Sequence, residues 1–321
     1  MSAINLFTCC ATFSVVSILC GSVWAQSLDV NYSGVVLDND DHRDTYTEEM
    51  LMLAEHLGTL DLKAIITTYQ HSEYPEFVRG REEIQQKAKQ VRLKVDYDLF
   101  PGTNQTLAVP SSGKIEDTKP LGIDGSQFIV SEAKKASSAQ PLAILTGGQL
   151  TSVANAYLLD STIADRIIVL GVFGAPKIDY NANLDAWAWT IILAKMKVIS
   201  FKFREANGDF GQAFLQMPSV PKARLQKVLP RNAFTQWIID KRHPNQKILQ
   251  EDWDGTPLAT LLSDQYVTRY RRWSFQKIDP DNHHPIMVLD HEGKVYEVLD
   301  ANKEVGTKAY WQILTSYAEG E

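Results

Sequence analysis

Apolar runs of strand length alternate with segments of helical period through residues 30 to 205, the pattern of a mostly parallel sheet covered by helices. Val35 to Leu37 reads as a first strand, and Thr47 to Leu57 as a first helix with Met50, Leu51, Leu53, Ala54 and Leu57 on its inner side. Leu62 to Thr67 reads as a second strand, Glu82 to Val91 as a helix, and Lys94 to Phe100 as a third strand closed by Pro101-Gly102. Residues 102 to 126 are rich in Gly, Pro, Ser and Thr, which predicts a surface loop; a functional loop and plain irregular surface are both open readings. Leu142 to Thr146 is a buried-strand run, Gly147-Gly148 a tight turn, and Thr151 to Leu159 a helix. Ile167 to Val172 then reads as a strand, Asp185 to Lys195 as a helix and Val198 to Phe203 as a further strand. The tail changes character: Ile286 to Leu289 and Lys294 to Leu299 predict a β-hairpin, followed by a helix over Lys308 to Tyr317. The expected class is therefore an open, mostly parallel α/β sheet flanked by helices, Rossmann-like, with a C-terminal hairpin and helix.

At 321 residues and 44% apolar content, the chain can bury a large core. A net charge of −7 without long Lys/Arg runs excludes nucleic acid or an anionic membrane as the main partner. A small neutral or cation-assisted ligand fits better. Residues 5 to 25 are apolar and end in Val23-Trp24-Ala25, spacing that a signal peptidase accepts, so residues 1–25 read as an export signal, with a retained N-terminal anchor as the alternative. Cys9, Cys10 and Cys20 all lie in that segment. A secreted or periplasmic mature chain would hold no thiol, so cysteine chemistry and disulfides drop out. Residues 26–270 are expected to form the main domain and 271–321 a hairpin and helix packed on it.

The strand ends carry the candidate chemistry. Asp38, Asp40, Asp41 and Asp44 place four carboxylates within seven residues at the end of the first strand. So much like charge in a small volume is costly without a compensating cation or polar ligand, and oxygens so grouped suit a hard divalent ion such as calcium. Helix capping by Asp44 or Thr45, with Glu48 and Glu49 in the first turn, accounts for one or two acids rather than four. Thr146, Asp179 and Asn181 follow later strands, and open α/β sheets bind ligands beyond such ends. The chain has no GxSxG elbow, no complete dinucleotide fingerprint and no P-loop lysine. His283, His284 and His291 read as exposed hairpin residues, with a metal pair as the lesser alternative, and Trp187 and Trp189 as core, with a pocket lining as theirs.

Four blocks carry a family resemblance. Val36-Leu37-Asp38-Asn39-Asp40, with Asp44 beyond, resembles the DxDxxxDD signature of the inosine-uridine-preferring nucleoside hydrolase superfamily. Ile65-Ile66-Thr67-Thr68, Leu145 to Ser152 and Asp179 to Ala186 resemble its later segments in order, and Trp253-Asp254 is a weaker fourth match beyond the signature. The resemblance implies calcium as cofactor, a nucleoside or related riboside as substrate, and hydrolysis of the N-glycosidic bond. It implies that Asp40 binds the metal and activates water, that Thr146 lends its carbonyl, that Asp44 holds ribose hydroxyls, and that Asp254 completes the metal sphere. Asp179 and Asn181 would grip the sugar, and Trp253, standing where many relatives carry a histidine, favours stacking of the base over its protonation. An ordinary half-buried tryptophan is the equal alternative there. Thr45 replaces the second acid of the signature pair, and Asp41 and His42 replace its proline and glycine. A neutral Thr45 hydroxyl should lower calcium affinity, with Asp41 or a shifted Asp44 as the candidates to compensate. Two readings follow: a riboside hydrolase, or a nucleoside- or sugar-binding protein on the same scaffold with the chemistry lost. Relatives are commonly dimers or tetramers, so a homo-oligomer is one expectation, although no feature of the chain reports it.

Overall fold

The computed structural model describes residues 28–43, 45–69, 72–240 and 251–320. The expected export signal, all three cysteines and Asp44 lie outside these residues. Nine strands form one sheet: β1 (Gly34–Asn39), β2 (Leu62–Thr67), β3 (Asp98–Pro101), β4 (Leu142–Thr146), β5 (Ile167–Gly171), β6 (Lys197–Phe201), β7 (Val267–Ile278), β8 (Pro285–Leu289) and β9 (Val295–Ala301). Their order is β3-β2-β1-β4-β5-β6-β9-β7-β8, parallel from β3 through β9, with β7 antiparallel to both β9 and β8. The helices are α1 (Thr47–His56), α2 (Tyr74–Gln90), α3 (Asp124–Lys135), α4 (Thr151–Leu159), α5 (Tyr180–Leu184), α6 (Ala186–Lys195), α7 (Lys222–Val228), α8 (Ala233–Asp240), α9 (Gly255–Leu262) and α10 (Lys303–Gly320). The expected α/β class is the observed one. Among the described residues no helix is long and apolar enough to cross a membrane.

Alternation along the central strands divides the core between the two faces of the sheet. Val35, Leu37, Ala143, Leu145, Ile168 and Leu170 join α1, α9 and α10 in one cluster. Val36, Ile144, Val169 and Ile167 pack on the other face with Ile129 of α3, Val153 of α4 and Ile191 of α6. Both faces are apolar, which is why these strands read in sequence as continuous runs rather than alternating ones. Trp187 and Trp189 are core as expected, their indoles donating to Thr118 Oγ1 at 3.0 Å and to the Gly174 carbonyl at 2.7 Å.

Several boundaries differ from the sequence expectation. Helix α2 begins at Tyr74 rather than Glu82, with Pro75 in its first turn, and buries only the stripe Phe77, Gly80, Arg81, Ile84 and Ala88. So polar a helix gives a weak periodic signal. The expected strand from Lys94 shrinks to β3, Asp98–Pro101. Residues 102 to 126 are pinned by buried Leu107, Ile115 and Ile123, and the stretch runs into α3 at Asp124. The tail hairpin is the largest correction. β8 and β9 do not pair with each other; β7 lies between them and forms the hairpin with β8. Strand β7, VTRYRRWSFQKI, escapes pattern reading because it is charged, half-exposed and broken by register shifts at Val267/Arg269, Arg269/Tyr270 and Phe275/Lys277. The histidines before β8 are not simply solvent-facing: His283 and His284 meet Trp187 and Trp189 edge-on at 6.2 and 5.5 Å.

Candidate functional site

The order of strand addition reverses between the parallel strands β1 and β4: β2 and β3 extend the sheet on one side of β1, and β4 to β6 on the other. The carboxyl ends of β1 and β4 therefore splay helices to opposite faces and leave a crevice, the usual ligand position in such sheets. Asp38 stands in register with Thr146 at that point.

Strand parity aims successive residues of the acidic segment to different places. Asp38 turns toward the α4 face, where its Oδ1 accepts the Thr68 hydroxyl at 2.5 Å while Oδ2 has no hydrogen-bond partner. Burial pushes its carboxyl up to about 7. Asn39 turns the other way and donates from Nδ2 to Asp254 Oδ2 at 3.0 Å, leaving its buried Oδ1 without a partner. Asp40 keeps an edge open to the crevice, and burial, opposed in part by the Asp41 amide, holds its carboxyl up to about 7. Asp254, at the amino end of α9, is raised well above the ordinary carboxylate range by burial and then by the charge of Asp40. Gly147 and Gly148 make this convergence possible. A Cβ on Gly147 would lie 2.1 Å from Asn39 Oδ1 and 2.4 Å from Asp254 Cγ, and one on Gly148 2.8 Å from Asp40 Cγ.

Two ionic supports hold the loop. Arg81, buried in α2, pairs with buried Glu48 of α1, donates from Nε to it at 2.7 Å, and donates from Nη1 to the Asp40 carbonyl at 3.0 Å. Asp41 is clasped by Arg43, Nε to Oδ1 at 2.8 Å and Nη2 to Oδ2 at 2.7 Å. Asp252, fully buried, adds a further support through neutral donors. It accepts Thr45 Oγ1 at 2.5 Å, the Tyr46 amide at 2.7 Å, Thr47 Oγ1 at 2.8 Å and the Tyr310 hydroxyl at 2.6 Å. The Thr45 hydroxyl hydrogen is thus committed to Asp252 rather than free toward Asp40.

Fit to a divalent cation is partial. Asp40 and Asp254 bring two mutually repelling carboxylates, Asn39 Oδ1 is an acceptor lacking a donor, and the Thr146 carbonyl already accepts the Val172 amide at 3.0 Å but retains a lone pair. Among the described residues, no three acidic, histidine or cysteine side chains converge closely enough to hold a metal. Calcium ordinarily takes six to eight oxygens, so solvent or ligand oxygens would have to supply the rest.

A pocket of about 160 Å³ opens above the acids, lined by Asp40, Asp41, Asn181 and Asp254 and walled by Tyr69, Tyr180, Phe203, Phe214 and Trp253. Half-buried Trp253 stands 6.0 Å from Phe203 and 5.6 Å from Phe214, ring centre to ring centre. Asn181 is fixed by donating from Nδ2 to the Gly147 and Val172 carbonyls at 3.1 and 2.7 Å. Asp179 sits one wall away: its Oδ1 caps α5 at the Ala182 amide, 3.2 Å, and its Oδ2 accepts the Phe203 amide at 2.9 Å.

The structure thus gathers Asp40, Asp41, Asn181, Trp253 and Asp254 around one pocket, with Asp38 and Thr146 beneath it and Asp179 beside it. Sequence reasoning passed over Asn39, Arg81 and Asp252, and the walls from Tyr69, Tyr180, Phe203 and Phe214. One signal was available: Asp252-Trp253-Asp254 repeats the D-x-D spacing of Asp38-Asn39-Asp40. Arg81 had none, being one cation in a charged helix.

No family model matches the sequence, and no curated protein matches it. Solved structures do. A plant nucleoside hydrolase aligns with a TM-score of 0.60 at 14% identity over 88% of this chain and 99% of its own. An inosine-guanosine nucleoside hydrolase gives 0.61 at 13% over 88% and 99%. A purine-preferring ribonucleoside hydrolase from Gardnerella vaginalis gives 0.60 at 14% over 89% and 100%. Similarity so complete in length and so slight in identity concerns the path of the backbone, and on it the chain has the nucleoside hydrolase-like α/β fold.

Proposed function

We propose that the pocket binds a nucleoside or related riboside and hydrolyses its N-glycosidic bond. The observation that carries this reading is the convergence of Asp40 and Asp254 under a wall of aromatic rings at the sheet's reversal point. Carboxylates stabilise the positive charge that grows on the sugar as the bond to the base breaks. Asp40 takes a proton from water as the water oxygen bonds to the anomeric carbon. The base leaves with the bonding pair and takes a proton from solvent, while Trp253, Phe203 and Phe214 offer faces for its ring. Asp40, Asp254, Asn39 Oδ1 and the Thr146 carbonyl would hold a divalent cation, calcium in the first instance. Such an ion lowers the pKa of water and offsets the local negative charge. Asn181 is positioned to touch the sugar, and Asp179 to hold Phe203 and α5 in place.

Purified protein incubated with purine and pyrimidine ribonucleosides should release reducing sugar, more with calcium than with chelator, and Asp40→Asn should abolish release without loss of fold. The commitment of the Thr45 hydroxyl to Asp252 favours a second reading, a riboside-binding protein without turnover. Ribosides bound yet never cleaved at any calcium concentration would select that one.

A further inference from the structure

A second cavity, about 620 Å³, adjoins the first and is lined by Lys177, Asp179, Tyr180, Lys202, Arg204, Glu205, Arg271, Trp273 and Glu297 among others. Two three-residue segments divide between the cavities. In Asp179-Tyr180-Asn181, Asp179 faces the larger space, Asn181 the smaller, and Tyr180 both. In Lys202-Phe203-Arg204, Phe203 faces the smaller, and both cations the larger. The acidic pocket at about 160 Å³ is below the usual range for small-molecule sites, roughly 300–1,000 Å³, whereas the adjoining space falls within it. A ligand over Asp40 that is larger than this pocket would extend past Tyr180, which lines both spaces.

The charge there is not fully balanced. Glu297 is nearly buried and occupied, accepting the Trp273 indole at 2.9 Å and facing Lys202 Nζ at 3.4 Å and Arg271 Nε at 3.6 Å. Among the described residues Lys177 and Arg204 have no carboxylate partner. Arg204 is exposed and held against Phe203 and Phe210, its guanidinium 5.3 Å from each ring centre. An arginine pre-positioned on aromatic faces, with a lysine lining the same cavity, suits a phosphate, with its several acceptor oxygens.

We infer that the larger cavity receives a phosphate monoester carried by the riboside, so that the preferred ligand is a phosphorylated ribosyl compound. This rests on the reading of the acidic pocket as a riboside site. Calorimetric titration with ribose and with ribose 5-phosphate tests it. The phosphorylated sugar should bind at least about tenfold more tightly, the worth of one charge-assisted contact. Lys177→Gln with Arg204→Gln should bring the two sugars to equal affinity, and Lys177→Arg with Arg204→Lys should keep the preference. Equal affinity in the natural protein, no binding of either sugar, or a preference that survives both glutamines overturns the inference. Parallel assays with a nucleoside and its 5′-monophosphate separate it from the hydrolase reading. Cleavage of both at equal kcat/KM with no binding preference leaves the hydrolase standing and removes the phosphate site. A binding preference without cleavage does the reverse.

Discussion

Replacing Asp252 by alanine should unfold the amino end of α1 from the rest of the molecule, and the hydrogen bonds fix how much. Four donors converge on this carboxylate: the Thr45, Thr47 and Tyr310 hydroxyls and the Tyr46 amide, all between 2.5 and 2.8 Å. In Asp252→Ala the threonine hydroxyls can rotate toward other acceptors. The Tyr46 amide is fixed by the backbone and cannot rotate, and the buried Tyr310 hydroxyl exchanges a 2.6 Å bond to a carboxylate for weaker neutral neighbours such as the Gly255 carbonyl at 3.5 Å. Bonds to a charged acceptor contribute about 1.5–3 kcal/mol each, so two lost outright cost roughly 3–6 kcal/mol. Relief of repulsion on Asp254 offsets on the order of 1 kcal/mol, leaving about 2–5 kcal/mol. With a urea slope near 3 kcal/mol/M, the midpoint should fall by about 0.7–1.7 M, followed by tryptophan fluorescence and far-ultraviolet circular dichroism together. Asp252→Asn keeps the shape and the Tyr46 contact, so it should lose less than half as much. An alanine variant within about 0.3 M of the natural protein would refute the claim that Asp252 ties α1, α9 and α10 together.

Arg81→Met leaves Glu48 buried and uncompensated and should cost about 3–5 kcal/mol in urea unfolding, with much of the loss recovered in Arg81→Met with Glu48→Leu; equal losses in single and double variants would argue against a buried pair. Gly147→Ala drives a methyl into Asn39 and Asp254, so riboside binding should vanish while stability falls by only about 1–3 kcal/mol, and retained affinity would show that the two side chains have room to move. Asp38 gives a pH dependence. Its folded pKa, about 7, exceeds its unfolded value, so the folded state keeps a proton that the unfolded chain releases, and stability contributed by protonated Asp38 is lost as pH rises from about 4 to about 7. In chelator, Asp38→Asn should show a flatter decline of urea midpoint across that window than the natural protein, and identical slopes would contradict the burial argument.

The α/β class, the places of the central strands and the acidic segment at the end of β1 were legible in the amino-acid order, because a strand buried on both faces is a short apolar run and a cluster of aspartates at its end interrupts that run abruptly. The family resemblance pointed to Trp253-Asp254, and both residues line the pocket. Tertiary structure decided everything that depends on which distant segment faces which. Asn39 and Asp254 are 215 residues apart and Thr45 and Asp252 207, and no local signal encodes such pairings. Strand β7 slips between β8 and β9 because register and cross-strand contacts, not its own charged pattern, place it there. The division of Lys202-Phe203-Arg204, just past the end of β6, between two cavities likewise acquires meaning only once the neighbouring walls are in position.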